Sequence, residues 1–127
     1  MFHPPYIVAD VDAELRALIN TPLFRTAFTT KDPQFGYDTE LGFLEENVVE
    51  AASLVVCKRQ RIVPDPVGYL AAREGGVYKV GVVLFAYFDR MPKRPEEPFA
   101  TFFKRVVAAL PLGHLEDEYQ RIIGDRC

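Results

Sequence analysis

Two pairs of residues in this sequence have the types and the spacing for acid–base or metal chemistry. His114 and Glu118 are four positions apart, and so are Glu46 and Glu50, so each pair would share one face of a helix. An imidazole titrates near neutral pH, and carboxylates accept protons or bind divalent metals. If the two helices met, the four side chains could act as a general acid–base site or hold a metal.

The surroundings of these residues favour a structural interpretation over a metal site. Glu46 and Glu50 follow Glu45, and we expect this acidic group on a solvated helix face. Gly113 and His114 are typical of a helix entrance, and the His-x-x-x-His and Glu-x-x-His spacings of common metal sites are missing. We therefore predict no metal and no cofactor, and keep the four residues only as the catalytic set of an alternative enzyme.

The sequence offers few candidates for nucleophilic catalysis or phosphate binding. Ser53 lies in an apolar stretch without the Gly-x-Ser-x-Gly turn that exposes a catalytic serine. Cys57 precedes a basic cluster, but it also follows three apolar residues, and we interpret it as a core cysteine. Gly75 and Gly76 lack the further glycine and the lysine of a nucleotide-binding loop, so they predict a turn.

Aromatic side chains are the one class in excess, with ten Phe, six Tyr and no Trp. Most of these rings must belong to the core. A subset is concentrated in one apolar run and one helix, and this surplus could line an apolar pocket or cover a dimer interface. The candidate ligand-binding residues are Tyr78, Phe85, Tyr87, Phe99 and Phe103.

Composition and charge narrow the classes of function. The chain has 127 residues, 49% of them hydrophobic, and a net charge of −3, which fit one globular domain over residues 1–127. The mild acidity makes nucleic-acid binding an improbable main function, because phosphate affinity needs a basic face. Residues 1–56 carry three basic and nine acidic side chains, whereas residues 57–127 carry twelve and nine. This asymmetry predicts either mutual neutralisation of the two halves or a self-association surface.

The sequence also bears on the compartment. Two cysteines, Cys57 and Cys127, make no disulfide framework, and the first residues lack the basic start and apolar run of a signal peptide. The longest apolar run is nine residues, too short for a membrane helix of about 20. We expect a cytoplasmic protein with reduced thiols and no membrane partner.

Helical patterns dominate both ends of the sequence. The clearest is followed by Pro111, which ends the helix. Its apolar stripe, at helical spacing, consists of Phe99, Phe102, Phe103, Val106, Val107 and Leu110. Another helix is expected from Leu112, with Gly124 as its stop. Near the start, Asp10 or Asp12 can cap one helix, Thr21-Pro22 begins a second, and Asp38 or Thr39 caps a longer third.

The middle of the chain leaves two structures open. Residues 68–74 predict either a capped helix or a strand that enters a Gly-Gly hairpin. The run from Val77 to Phe88 is nearly all apolar and rich in valine and aromatics, which favours a central strand buried on both faces. Its expected partners are residues 6–8, 55–63 and 69–73. We predict an α+β fold, a small sheet covered by several helices, with an all-α fold as the alternative.

These observations favour a binding function over catalysis. The leading hypothesis is a non-catalytic cytoplasmic interaction protein, homodimeric, that binds a protein partner or a small apolar ligand. The alternative is a small acid–base or metal-assisted enzyme that uses His114 with carboxylates. The two hypotheses differ in whether His114 or His3 lies in a concave site beside at least two carboxylates.

Overall fold

The computed structural model describes residues 8–30, 39–62, 65–72 and 78–125. A short 3-10 turn at Val8–Val11 leads into the first of seven α-helices in these ranges. They are α1 (Asp12–Ile19), α2 (Pro22–Thr30), α3 (Glu40–Arg59), α4 (Pro66–Ala72), α5 (Lys79–Arg90), α6 (Phe99–Ala109) and α7 (Leu115–Asp125). These ranges contain no strand, so the predicted α+β fold is wrong and the all-α alternative is confirmed.

The apolar run predicted as a central strand forms most of α5, the innermost helix of the bundle. Residues 80–85, together with Tyr87 and Phe88, are buried. They can be buried all round because α2, α3, α4, α6 and α7 all pack against this helix. A helix that is enclosed by five others needs no continuous polar face, so its nearly unbroken apolar run resembles that of a buried strand.

The expected partner strands are also wrong wherever they fall in described residues. Residues 55–59 lie in α3, and residues 69–72 lie in α4. Residues 68–72 of the ambiguous middle segment are therefore helical, and residues 73–74 lie outside the described residues. Val8 begins the 3-10 turn. The Gly75-Gly76 turn, Cys127, His3 and residues 6–7 lie outside the described residues.

The long helix α3 has a well-defined start and end. Its N-cap is Thr39, whose side chain accepts a hydrogen bond from the amide of Gly42 at 3.0 Å. At its other end the amide of Arg61 donates to the carbonyl of Lys58, and that of Ile62 donates to Cys57. These two bonds form a Schellman motif, which requires a left-handed backbone at the residue after the C-cap.

Arg61 occupies that left-handed position, with φ of 59°. A side chain there costs about 1–2 kcal/mol, whereas glycine adopts the conformation freely at an entropic cost of about 0.5–1 kcal/mol. We therefore expect Arg61→Gly to raise the free energy of unfolding by up to about 1 kcal/mol, as measured by urea denaturation. Gln60, at φ of −90°, is the control, because glycine gains nothing there and should destabilise. A loss of stability in Arg61→Gly would contradict this account.

A buried hydrogen bond joins α3 to α5. The amide of Gly81 donates to Oδ1 of Asn47 at 2.8 Å, and Nδ2 of Asn47 donates to the carbonyl of Phe43 at 2.9 Å. Gly81 lies in the first turn of α5, where amides have no partner within the helix. Asn47 thus caps α5 from a neighbouring helix. The absence of a side chain at Gly81 permits this approach, because a Cβ would lie 3.1 Å from Asn47 Oδ1.

The two central helices run in the same direction. Asn47 meets Gly81 in the first half of each helix, and Lys58 forms an ion pair with Asp89 near the ends of both. The segment between α3 and α5, which includes α4, returns from the end of α3 to the side of the bundle where α3 begins. The C-terminal ends of α3 and α5 therefore lie side by side, where basic residues favourably face the negative ends of the helix dipoles.

The helices predicted at the two ends of the chain are present, with small differences at their boundaries. Thr21 caps α2 as expected, accepting from the amide of Phe24 at 3.3 Å. The first turn of α1 has no side-chain cap, contrary to the expectation for Asp10 or Asp12, because Val11 occupies the N-cap. The stripe from Phe99 to Leu110 forms α6 and its C-cap.

Eight of the aromatic rings pack together in two clusters of four. One consists of Phe24, Phe28, Phe43 and Tyr78, whose linked ring centroids lie 5.6–6.1 Å apart. The other consists of Phe88, Phe99, Phe102 and Phe103. Among the described residues, no helix is long and apolar enough to cross a membrane.

Candidate functional site

The predicted catalytic residues His114 and Glu118 lie in different surroundings. The His114 side chain is 78% exposed, and its Nδ1 lies 3.9 Å from Oδ2 of Asp117, which is equally open to solvent. Glu118 is held elsewhere: it accepts a hydrogen bond from the Tyr87 hydroxyl at 3.0 Å and pairs with Arg121. The hydrogen bond from Arg121 lowers the pKa of Glu118, which therefore stays charged and is a poor general base at neutral pH.

The other predicted pair, Glu46 and Glu50, lies inside the fold. The two residues are only 5% and 8% exposed, so the expected solvated face is wrong. The reason is the central position of α3, which packs against four other helices. No three His, Cys, Asp or Glu side chains in the described ranges are grouped so as to hold a metal ion.

The predicted aromatic ligand residues lie in different parts of the described structure. Tyr78 and Phe103 are wholly buried in the core, and Phe85 is nearly so. Tyr87 is buried between α5 and α7, where its hydroxyl binds Glu118, and burial raises its pKa. Phe99 alone of the five lines one of the cavities described below.

An apolar groove of about 270 Å³ lies where α3, α5 and α6 meet. We call it the α3–α6 groove. One wall is a stripe along the outer side of α3, at helical spacings of i, i+3, i+4 and i+7. The described lining residues are Ala52, Val55, Val56 and Arg59 from α3, Phe88 from α5, Phe99 and Phe102 from α6, and Lys93 from the α5–α6 connection.

The opposite wall of the groove is a rigid aromatic surface. Phe88 packs edge-on against Phe99, with centroids 5.9 Å apart, and tilted against Phe102 at 5.2 Å. Phe99 and Phe102 are themselves in edge contact at 5.7 Å. Each ring restrains the other two. Across the groove Val56 is 54% exposed, so this part of the α3 stripe is about half open to solvent.

Two cations stand at the end of the groove where α3 and α5 finish. Arg59 is in the last turn of α3, and Lys93 follows α5 by three residues. The Lys93 ammonium donates to the carbonyls of Arg94 at 3.0 Å and Glu97 at 2.8 Å. These bonds fix its charge at the rim.

The connection that carries Lys93 is itself fixed by a two-pronged ion pair. Arg105 donates from Nε at 3.1 Å and from Nη2 at 2.9 Å to the two carboxylate oxygens of Glu97. Its Nη2 also donates to the carbonyl of Pro92 at 3.2 Å, and Glu97 accepts from the amide of Arg94. The hydrogen bonds from Arg105 lower the pKa of Glu97 to about 2.

This ion pair predicts a specific acid sensitivity. A carboxyl whose folded pKa is about 2, against an ordinary 4.5, adds stability that is fully present above pH 4.5 and lost as the pH falls towards 2. We expect Glu97→Gln to have a lower free energy of unfolding than the wild type near neutral pH. This difference should shrink between pH 4.5 and 2, and urea denaturation across that range measures it. A difference that does not change with pH would contradict the lowered pKa of Glu97.

A second cavity, of about 450 Å³, lies between the N-terminal helices and the start of α3. Its charged lining residues neutralise one another in the described structure. Asp12 pairs with Arg16 at 2.7 Å, and Arg25 pairs with Glu40. The described lining of the α3–α6 groove is more apolar than that of this cavity, and it includes the cations Arg59 and Lys93 without a carboxylate.

Sequence reasoning missed this groove, apart from Phe99. Its lining comes from three helices and a connection that are distant in sequence, and no local pattern links them. One signal was present: the adjacent valines at 55 and 56 widen the apolar stripe of α3 beyond one face. Comparison with protein-family models, with curated proteins and with solved structures found no match to the chain. We therefore infer function from the chemistry of the groove.

Proposed function

We propose that the protein is a non-catalytic binding protein that holds a small apolar ligand in the α3–α6 groove. The observation that carries this proposal is the apolar stripe of α3, open at Val56, opposite a wall of three packed rings. When a ligand covers apolar surface that faces water in a groove, the free energy of the system falls. The volume, about 270 Å³, is just below the range of about 300–1,000 Å³ for drug-sized ligands, which favours a small molecule.

Catalysis has no comparable support. His114 is open to solvent, Glu118 is held by Tyr87 and Arg121, and Glu46 and Glu50 are buried in α3. An acid–base mechanism needs its groups within hydrogen-bond reach of one substrate. We therefore do not extend the proposal to an enzyme.

The assembly and compartment of the binding protein remain predictions. The homodimer prediction rests partly on the excess of aromatic rings, and that argument is weaker because most of these rings pack within the core. The charge asymmetry between the halves of the sequence leaves self-association as one of its two explanations, beside mutual neutralisation of the halves. A protein partner is likewise a prediction. We place the function in the cytoplasm, as the cysteine content predicts.

Binding of octan-1-ol tests the proposal, because this probe is apolar and uncharged. In NMR titrations the methyl groups of Val55 and Val56 should shift, since the probe would lie between them and the aromatic rings. Val56→Asp should weaken binding by about tenfold or more, because the ligand would strip water from a carboxylate. Val56 is half exposed, so the variant should still fold.

Ile62→Asp is the matched control. Ile62 is 63% exposed and does not line the groove, so the same change of type there should leave octan-1-ol binding unaltered. Equal affinities in the two variants, or no methyl shifts in the wild type, would contradict the proposed function.

A further inference from the structure

We propose that the ligand of the α3–α6 groove is a small alkyl carboxylate, with its chain along the valines and rings and its carboxylate against Arg59 and Lys93. This inference rests on the proposed function, which by itself requires only an apolar ligand. It follows from the position, the hydrogen bonding and the electrostatic surroundings of the two cations.

Arg59 continues the apolar stripe of α3 to the end of the groove. It lies seven residues after Ala52 and three after Val56, so its side chain shares their face of the helix. In the described ranges its guanidinium makes no hydrogen bond or ion pair. Arginine presents planar, paired donors that match a carboxylate. A ligand that filled the groove would place its end beside these donors.

Lys93 has one donor left for the same ligand. An ammonium carries three N–H groups, and two of them serve the carbonyls of Arg94 and Glu97. Both acceptors are neutral, so they orient the ammonium without cancelling its charge. The Glu97–Arg105 ion pair holds these carbonyls in place. The cation is therefore fixed before the ligand arrives, which reduces the entropic cost of binding.

The electrostatic surroundings favour an anion at this end of the groove. The described lining includes two cations and no Asp or Glu. The neighbouring carboxylates of Glu97 and Asp89 are paired with Arg105 and Lys58. An anionic group meets a complementary field there, whereas a cationic group would be repelled.

The size of the groove favours a small amphiphile over a segment of a partner protein. An α-helix with its side chains is about 10–12 Å across and would need a longer apolar channel. A volume of about 270 Å³ accommodates one short chain or ring. With apolar walls along its length and both cations at one end, the groove matches a ligand with a single apolar part and a single anionic head.

Octanoate and octan-1-ol form the matched pair of probes, because they share a chain length and differ in charge. Their affinities are measured by NMR titration of the wild type, Arg59→Gln, Lys93→Gln and the double variant. Lys104→Gln is the control, since Lys104 is exposed on α6 and outside the groove lining. It removes one positive charge without changing the site.

We expect octanoate to bind more tightly than octan-1-ol, and the double variant to lose about tenfold in octanoate affinity, the sum of two rim ion pairs. The affinity for octan-1-ol should be the same in all variants, and Lys104→Gln should bind octanoate as tightly as the wild type. If octan-1-ol binds as well as octanoate, or Lys104→Gln weakens octanoate as much as Arg59→Gln, the carboxylate inference fails while the proposed function stands. If neither probe shifts the groove residues, both fail.

Discussion

Phe103→Ala is expected to lower the free energy of unfolding by about 3–5 kcal/mol. The Phe103 ring is wholly buried, and it stacks on Phe99 with centroids 6.3 Å apart. Truncation would remove apolar contacts and leave a cavity that close-packed neighbours refill only in part. Thermal and urea denaturation measure the loss.

Tyr69→Ala is the matched control for this substitution. Tyr69 is a half-exposed aromatic residue on α4, and its truncation should cost about 1 kcal/mol or less. A similarly small loss in Phe103→Ala, accompanied by loss of octan-1-ol binding, would contradict the core assignment. It would place Phe103 in the functional surface instead.

Asn47→Leu should be the second severe substitution. The change keeps the branch at Cγ but replaces the acceptor that caps the amide of Gly81 with a bulkier methyl group in a buried position. A buried donor left without a partner costs about 1–3 kcal/mol. Because Asn47 also sets the distance between α3 and α5, we expect lower stability with the helical circular dichroism spectrum retained.

Asn20→Leu controls for the change of residue type. Asn20 is the exposed C-cap of α1, so its replacement should alter stability by about 0.5 kcal/mol or less. If Asn47→Leu is as well tolerated as Asn20→Leu, the cap between the helices contributes little to stability.

The sequence was most informative where a helix has one buried face. The α6 stripe predicts the helix because its apolar residues recur every three or four positions, with Lys104 exposed between them. Thr21 and Thr39 were recognisable as caps because threonine has a side-chain oxygen that can accept from a helix amide. Thr21 also precedes a proline, and Thr39 precedes an apolar helical pattern. Local rules sufficed for these elements.

The same rules failed where burial surrounds an element. The α5 helix has apolar side chains in every direction, and its valines and aromatics have the composition of a strand. Glu46 and Glu50 have the composition of a solvated face, yet tertiary packing buries them. Each outcome depends on which helices surround the element, and a single sequence does not encode that in its local pattern.

The groove was hidden for a related reason. Arg59 and Lys93 are separated by 34 positions in the sequence and come together only because α3 and α5 run in the same direction. That direction follows from the return of the chain through α4. Of the five aromatic residues that the sequence offered as ligand-binding candidates, Phe99 alone is in the described lining of the groove.

Intermolecular NOEs with bound octanoate test the central claim most directly. If the α3–α6 groove is the binding site, the alkyl protons of the probe should show NOEs to the Val55 and Val56 methyl groups and to the Phe99 ring. NOEs confined to Leu15 and Leu41, in the other cavity, or an absence of NOEs at saturating octanoate, would contradict it.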